Sequence, residues 1–495
     1  VGIISKNATK IAIISYTGAT VGYINKVLLF PNFLQTDQVG LANLLVSSAA
    51  LFAQIASFGL NNVIARFFPY FENKEKQHDG FLFYILSLGF IGFLLVAGLF
   101  LSFKTQIQAM YSVNSPLFSS HIIFLIPLAF NSLFYSLLES YLRALQKTVV
   151  PPFINEIVIR LINAAIIVPL AINLISFDLF IYLFIGANSI SAIILFLYTL
   201  FLKQWFFRPM QQSKLKRSYK PMSIYSLFSY LSNSTSIIIN NIDLLMIAAF
   251  LNLSNNGIYT TMIFIVSVMM FPYRALYSVA SPLVAKYWKQ KNLIEMQSLY
   301  QKVSSTLLIA GLFIFMLIWI NFDTLFHFIP EEYKAGKYVF LFLGIGKLYD
   351  MAAGINTLIL VTSKKYKIDL IFTVLFIALT IISNYIMIPI YGMNGAALAT
   401  AFSIFCINTV RIIYLKSKFN LFPLKFNFLT TILFTCIVIY LNSLFSIEIH
   451  FLMDAFMRTI GSSLLFLIFI YFSGFNLDIN QYITKHIRLI VNKLH

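Results

Sequence analysis

The sequence predicts an all-α membrane protein of about fourteen transmembrane helices, and three observations carry that reading. Of its 495 residues, 59% are hydrophobic and 11% are charged, with a mean hydropathy of +0.85, whereas a soluble domain holds roughly 25% charged residues. The apolar runs are about 20 residues long, the length of helix that crosses roughly 30 Å of hydrocarbon. Barrel strands would be half as long and would alternate with polar residues. The 35 Lys and Arg against 17 Asp and Glu sit in short loops between those runs rather than on a soluble basic patch, which argues against nucleic acid as a partner.

Taken in order, the spans are expected at 10–31, 38–66, 80–102, 117–142, 153–173, 179–202, 222–249, 257–285, 303–321, 338–362, 369–389, 393–415, 427–446 and 451–474. Lys6 and Lys10 precede a run that resembles the charged start of a signal peptide. That run is longer than a typical signal core and lacks a small-x-small cleavage site, so it is expected to be an uncleaved first span. Lys and Arg crowd the N-terminus and every second loop, while the opposite loops hold only Lys104, Lys334 and Lys337. The positive-inside rule then puts both termini in the cytoplasm.

The longest connection, "KQWFFRPMQQSKLKRSYKP" from Lys203, divides the chain. The expected organisation is an N-terminal six-helix bundle (1–202), a basic cytoplasmic linker (203–221), a C-terminal six-helix bundle (222–418), and two additional helices with a cytoplasmic tail (419–495). The linker's basic residues are expected to set topology and to touch anionic headgroups. An internal repeat spans the linker. "FLQTDQVGL" from Phe33 and "FLNLSNNGI" from Phe250 share Phe-Leu and a Gly at the same spacing, 217 residues apart, and "VIARFFPYF" from Val63 matches "LVAKYWKQK" from Leu283. Two related halves are a common architecture for transporters that alternate access around a midplane site.

Charges inside spans are costly and mark functional positions. At the repeat offset Lys26 aligns with Asp243, so the two halves carry opposite charges at equivalent positions of their first helices. The two can form a structural ion pair, or a pair that exists in one conformation and acts as a gate. Glu156 and Arg160 are four apart, and Lys347 and Asp350 three apart, so each pair shares a helix face and can neutralise itself. Glu139 and Arg143 form a further pair at the end of span four. Arg274, in "MMFPYRALYSVASP", has no acidic residue within a turn or two. A guanidinium there can grip phosphate oxygens bidentately, cap carbonyls freed by Pro272, or snorkel. Arg458 is expected to snorkel. Asn240 and Asn241 add polar groups beside Asp243, and His121 is expected to make a buried polar contact.

Cys406 and Cys436 lie in apolar runs without metal-ligand spacing and are expected to be small core residues. Neither a phosphate-binding Gly-rich loop, nor His-Glu-x-x-His, nor Gly-x-Ser-x-Gly occurs. The connection "NFDTLFHFIPEEYKAGK" is too short to house an outer catalytic domain, so no enzyme is expected. A membrane glycosyltransferase or polymerase would have to use Glu331 and Glu332 there.

The fourteen spans, the repeat, "NNIDLLMIAAFLNLSNNGIYTT" from Asn240 and "IYGMNGAALATAFS" from Ile390 together resemble the polysaccharide flippases (O-antigen, Wzx-type). Their superfamily also holds multidrug antiporters and lipid II flippases. The resemblance implies a multi-pass protein of the bacterial inner membrane that moves undecaprenyl-diphosphate-linked oligosaccharide from the cytoplasmic to the periplasmic leaflet by alternating access through a cationic cavity. On that basis Lys26 and Arg274, with Lys347 and Arg160 as secondary candidates, are expected to attract the diphosphate. Asp243 and Asp350, with Asn240 and Asn241, are expected to gate the cavity or to couple transport to H⁺, Na⁺ or membrane potential, with no cofactor. Expected partners are the lipid-linked oligosaccharide, membrane lipids and a polysaccharide polymerase or chain-length machinery. A cation-coupled multidrug antiporter is the nearer rival, but inside the spans bases outnumber unpaired acids, which disfavours cationic cargo.

Overall fold

A computed structural model describes residues 2–473 apart from 74–76, 205–208, 211, 425–426 and 445–449. The expected tail and part of the expected linker therefore lie outside the described residues. All regular structure among the described residues is helical, and no strand occurs among them. Nine of their helices are long and apolar enough to cross a bilayer, ten if one bent pair is a single broken span. The chain is thus an all-α protein that crosses the membrane many times. Packing divides it into two units, Val1–Thr261 and Met262–His495.

The first unit begins with α1 (Gly2–Tyr23), which runs through a π-helical turn, Ile24–Leu29, into α2 (Phe30–Phe33). After a two-residue break come α3 (Thr36–Ser57) and α4 (Leu60–Phe67). They are followed by α5 (Phe81–Ser102), α6 (Lys104–Ser112), α7 (Pro116–His121) and α8 (Leu125–Ala144). Short α9 (Val150–Pro152) leads through a second π-helical turn, Phe153–Val158, into α10 (Ile159–Ala171). Then come α11 (Phe177–Asn188), α12 (Ser191–Phe201), the long α13 (Gln212–Phe250) and the start of α14 (Leu253–Ser267). The core of this unit is α3, which packs on α5, α8 and α13 and buries Val39, Leu41, Ala42, Leu44 and Leu45 completely.

In the second unit α15 (Phe271–Gln290) and α16 (Leu293–Ile320) precede α17 (Lys337–Ala353) and α18 (Asn356–Thr362). The last two meet at a 50° bend. Gly354 makes the bend with φ +64° and ψ −124°, a conformation closed to residues with a Cβ. Ser304 Oγ of α16 fills the space such a Cβ would need.

The helix α19 (Tyr366–Phe419) would be about 80 Å long if straight, nearly three times the hydrocarbon thickness. It folds back at Gly392 (φ +62°, ψ −142°) into an antiparallel hairpin. Hydroxyls of Ser383 and Ser403 meet at 3.2 Å across it, and Arg411 binds Asp369 at 3.0 Å. Its arms coincide with the expected spans 369–389 and 393–415. Finally α20 (Asn427–Leu444) and α21 (Phe451–Ser473) dock on α16 through Phe313, Phe466 and Val438.

Two smaller expectations, for Cys436 and His121, are corrected. Cys436 is exposed rather than in the core, because α20 turns it away from α16. Arg458 is held by Asp454, four residues earlier on α21, at 2.8 Å. His121 bonds locally, to Leu117 O and Ser120 Oγ, rather than to a distant buried group.

Candidate functional site

In the first unit the expected charges sit where regular helix gives way. Lys26 lies in the π-helical turn Ile24–Leu29, and Glu156 in the turn Phe153–Val158, which packs against α1. Such turns insert an extra residue, redirect side chains and recur at functional sites. The approach of the two segments is made possible by Gly18 and Gly22, one turn apart on α1. A Cβ on Gly18 would lie 2.7 Å from Glu156 Cβ, and one on Gly22 would overlap the Arg160 guanidinium. This small-xxx-small pattern is a device for close helix packing in membranes.

The consequence is a cluster in which each cation is engaged. Arg160 pairs with Glu156, as the i, i+4 spacing predicts, and also donates to Gly18 O. Asn25 Nδ2 donates to Arg160 O at 2.7 Å. Lys26 Nζ donates to Asn43 Oδ1 of α3 and lies 4.7 Å from the Phe30 ring centroid and 5.8 Å from that of Phe184. Contacts with ring faces are favourable for a desolvated ammonium. Lys26 and Arg160 thus share one cluster in this unit.

Asp243 is 5% exposed and accepts a hydrogen bond from Tyr259 OH at 2.8 Å. That carboxylate is therefore held in the protein interior rather than against lipid. Asn241 Nδ2 donates back to Ile237 O of its own helix at 2.7 Å. The side chain of Asn240 lies outside the described residues.

The repeat motif proves to be a contact. A Cβ on Gly40 would overlap Leu253 O, and one on Gly257 would overlap Thr36 O; each would also lie 3.1 Å from the other glycine's nitrogen. Gly257 and Leu253 stand 217 residues after Gly40 and Thr36. The contact is therefore reciprocal under the repeat offset, as a local two-fold relation requires. The caps repeat as well. Gln35 and Gln38 form a capping box at the start of α3, and Asn252 Oδ1 accepts from Asn255 N at 2.8 Å at the start of α14.

In the second unit Asp350 is not neutralised by Lys347. Its Oδ1 accepts from Asn408 Nδ2 at 2.9 Å, and Asn408 Oδ1 in turn accepts from Asn356 Nδ2 at 2.8 Å. The i, i+3 spacing allowed the pair, but an amide brought in by the α19 hairpin takes the carboxylate. Lys347 and Arg274 have no ion pair or side-chain hydrogen bond among the described residues. Arg274 is exposed near the start of α15, where its neighbours on the exposed face are Ala275, Ser278, Pro282, Ala285, Lys286 and Lys289. Val279 interrupts an otherwise small and polar surface. A helix face turned to lipid carries large apolar groups instead. The geometry thus offers an anion a guanidinium with its donors free.

Sequence reasoning missed Asn43, Tyr259 and the buried pair Asp369–Arg411. The Arg411 side chain is 9% exposed and is bonded also to Thr373 Oγ1 at 3.1 Å.

Among solved structures, the chain is similar to a lipid II flippase MurJ in an inward closed conformation. The two are 16% identical over 94% of this chain and 98% of that one, with a TM-score of 0.71. It is similar also to an inward-facing multidrug resistance MATE family transporter of the MOP superfamily, at 14% identity, 82% and 94% coverage and a TM-score of 0.58. A MOP superfamily transporter from Pyrococcus furiosus, described as having a binding pocket of reverse polarity, matches at 13% identity, 84% and 96% coverage and a TM-score of 0.54. These likenesses establish the fold. No curated protein matches the chain in sequence. The model of the polysaccharide biosynthesis protein family matches residues 4–288, more than half of the chain, and the chain belongs to that family.

Proposed function

We propose that the chain is a flippase, not an enzyme. It would carry an undecaprenyl-diphosphate-linked oligosaccharide from the cytoplasmic to the periplasmic leaflet of a bacterial inner membrane by alternating access. Family membership and the fold shared with a lipid II flippase support the class. The observation that carries the substrate chemistry is Arg274, without a partner among the described residues and set on a small, polar helix face. A diphosphate and a glycan cannot enter hydrocarbon unaided, because unsatisfied polar and charged groups there cost several kcal/mol each. A hydrated, cationic path removes that cost while the prenyl tail stays in lipid.

In this reading Arg274 and Lys347 meet the diphosphate, and Lys26 and Arg160 form a second basic station. Asp243 and Asp350, with Asn240 and Asn241, respond to the coupling ion. Fourteen crossings with both termini cytoplasmic complete the arrangement, as two related six-helix bundles (1–202 and 222–418) joined by the basic linker 203–221, with two further helices. A polysaccharide polymerase or chain-length machinery would take the product at the outer leaflet.

The test is flipping in proteoliposomes, read as protection of a fluorescent polyprenyl-diphosphate oligosaccharide from an external glycosidase. Wild-type protein is expected to move it, and Arg274→Ala to move it at least tenfold more slowly while remaining folded and inserted. Equal rates in both, or efflux of cationic dyes without glycolipid movement, would contradict the proposal.

A further inference from the structure

Away from these charges, α5, α8 and α12 enclose a cavity of about 540 Å³, within the roughly 300–1,000 Å³ range of small-molecule sites. Its wall is a cage of Phe83, Phe90, Phe130, Phe134 and Phe196 with leucines between them, and Ser87 is the one hydroxyl. No charged side chain lines it. A water-soluble ligand finds no polar anchor there, whereas a hydrocarbon chain finds a complete apolar lining. Phe90, Ile91, Phe130 and Ile193 stay largely exposed at its rim, so the cavity opens outward from helices that cross the membrane.

The three helices agree on depth. The lining residues of α5 (82–91) lie in its first half, those of α8 (130–138) in the second half of the crossing Pro116–Ala144, and those of α12 (192–196) in the second half of the crossing Phe177–Phe201. With the termini cytoplasmic, α5 starts at the cytoplasmic surface and α8 and α12 end there, so all three stretches fall in the cytoplasmic leaflet. Beyond them stand cations. Lys203 follows Phe196 by seven residues, about 10 Å of helix rise, and is exposed. Arg143 follows Leu138 by five; its side chain is 61% exposed, one nitrogen on Glu139 at 2.6 Å. Lys147 is exposed beside it. An apolar slot with exposed bases one headgroup-depth above it matches a lipid with an anionic head and a hydrocarbon tail.

We propose that this cavity holds an acyl chain of an anionic phospholipid of the cytoplasmic leaflet, with its phosphate at Lys147, Lys203 and Arg143. The leaflet assignment rests on the topology proposed above; occupancy does not depend on flipping. The bound chain fills the slot that these three helices line.

The test uses full-length protein in phosphatidylcholine vesicles containing phosphatidylglycerol with a diazirine on one acyl chain. After irradiation, adducts on the α5 and α8 lining peptides are expected at least fivefold above those on α21. Ser87→Phe is expected to cut groove labelling at least fivefold, and Ser87→Leu to cut it less, which covers the case of a misfolded first variant. Lys147→Gln with Lys203→Gln is expected to lower labelling by phosphatidylglycerol but not by a phosphatidylcholine probe. Labelling spread evenly over all outward faces, or unchanged by both Ser87 variants, would overturn the site. Insensitivity to the lysine changes would overturn the headgroup placement. Displacement by polyprenyl phosphate at lower concentration than by unlabelled phosphatidylglycerol would replace the phospholipid with the carrier lipid as occupant. None of these outcomes requires transport, so the proposed flipping stands or falls separately.

Discussion

The exposed faces of α5 and α15 are built from opposite chemistry. On α5 the exposed residues include Phe90, Ile91, Leu94, Leu95, Leu99 and Leu101; on α15 they include Arg274, Ala275, Ser278, Pro282, Ala285, Lys286 and Lys289. Both are accessible surfaces of helices in a membrane protein, so accessibility alone does not tell lipid from water. The side chains do, since hydrocarbon tolerates the first set and penalises the second. A parallel contrast separates the charges. Arg160, Arg411, Arg143 and Arg458 each hold a carboxylate, whereas Arg274 has its donors free among the described residues. The buried pair of Arg411 with Asp369 is expected to matter for structure and Arg274 for transport.

The largest expected effect sharpens that contrast on the structural side. Arg411→Met strands the buried Asp369 carboxylate, 8% exposed, and should cost about 3–5 kcal/mol, seen as a lowered unfolding midpoint in detergent. Replacing both members with apolar residues should recover most of the loss. An Arg411→Met variant as stable as wild type would break the distinction. On the transport side, Arg274→Ala should leave the midpoint unchanged and reduce the flipping rate about tenfold to hundredfold, the size of a lost charge-assisted hydrogen bond at 1.5–3 kcal/mol.

Next in size are the helix-crossing glycines. Gly40→Ala or Gly257→Ala forces backbone apart and should each cost about 1–3 kcal/mol. The two substitutions act on one contact, so the double variant should cost clearly less than the sum. Additive effects would show that the crossing is not shared. Smallest is the exposed pair Glu331–Lys334, 2.8 Å apart. Glu331→Gln should change the unfolding midpoint by an amount near the error of measurement, since water and salt screen an exposed pair.

Much of the fold was legible because a bilayer imposes long apolar runs, and every expected span contains helix in the structure. Fewer helices meet the length and apolarity test than were expected to cross. The bend at Gly354 breaks one expected span, whereas the fold-back at Gly392 falls between two expected spans and separates the two arms of α19. Local pairs such as Glu139–Arg143 and Glu156–Arg160 were legible from their four-residue spacing. The pairing of Lys347 with Asp350 failed on the same logic because spacing permits a contact without excluding competitors. Asn408, 58 residues away, competes successfully. The partners Asn43 for Lys26, Tyr259 for Asp243 and Asp369 for Arg411 are set by which helices pack, and no local pattern encodes that. The π-helical turns at Ile24–Leu29 and Phe153–Val158 have no signature in hydrophobic periodicity, although Gly18 and Gly22 mark where α10 comes close.

The central claim is that the Arg274 face of α15 is wet and receives a diphosphate. It is tested most directly by replacing Cys406 and Cys436, placing single cysteines at Ser278 and, for comparison, at Leu94, and measuring their reaction with a membrane-impermeant maleimide in proteoliposomes. The account predicts that Ser278→Cys reacts readily, that a polyprenyl-diphosphate oligosaccharide slows it at least fivefold only when Arg274 is present, and that Leu94→Cys is inert. A Ser278→Cys as unreactive as Leu94→Cys, or a reaction indifferent to the lipid diphosphate, would contradict it.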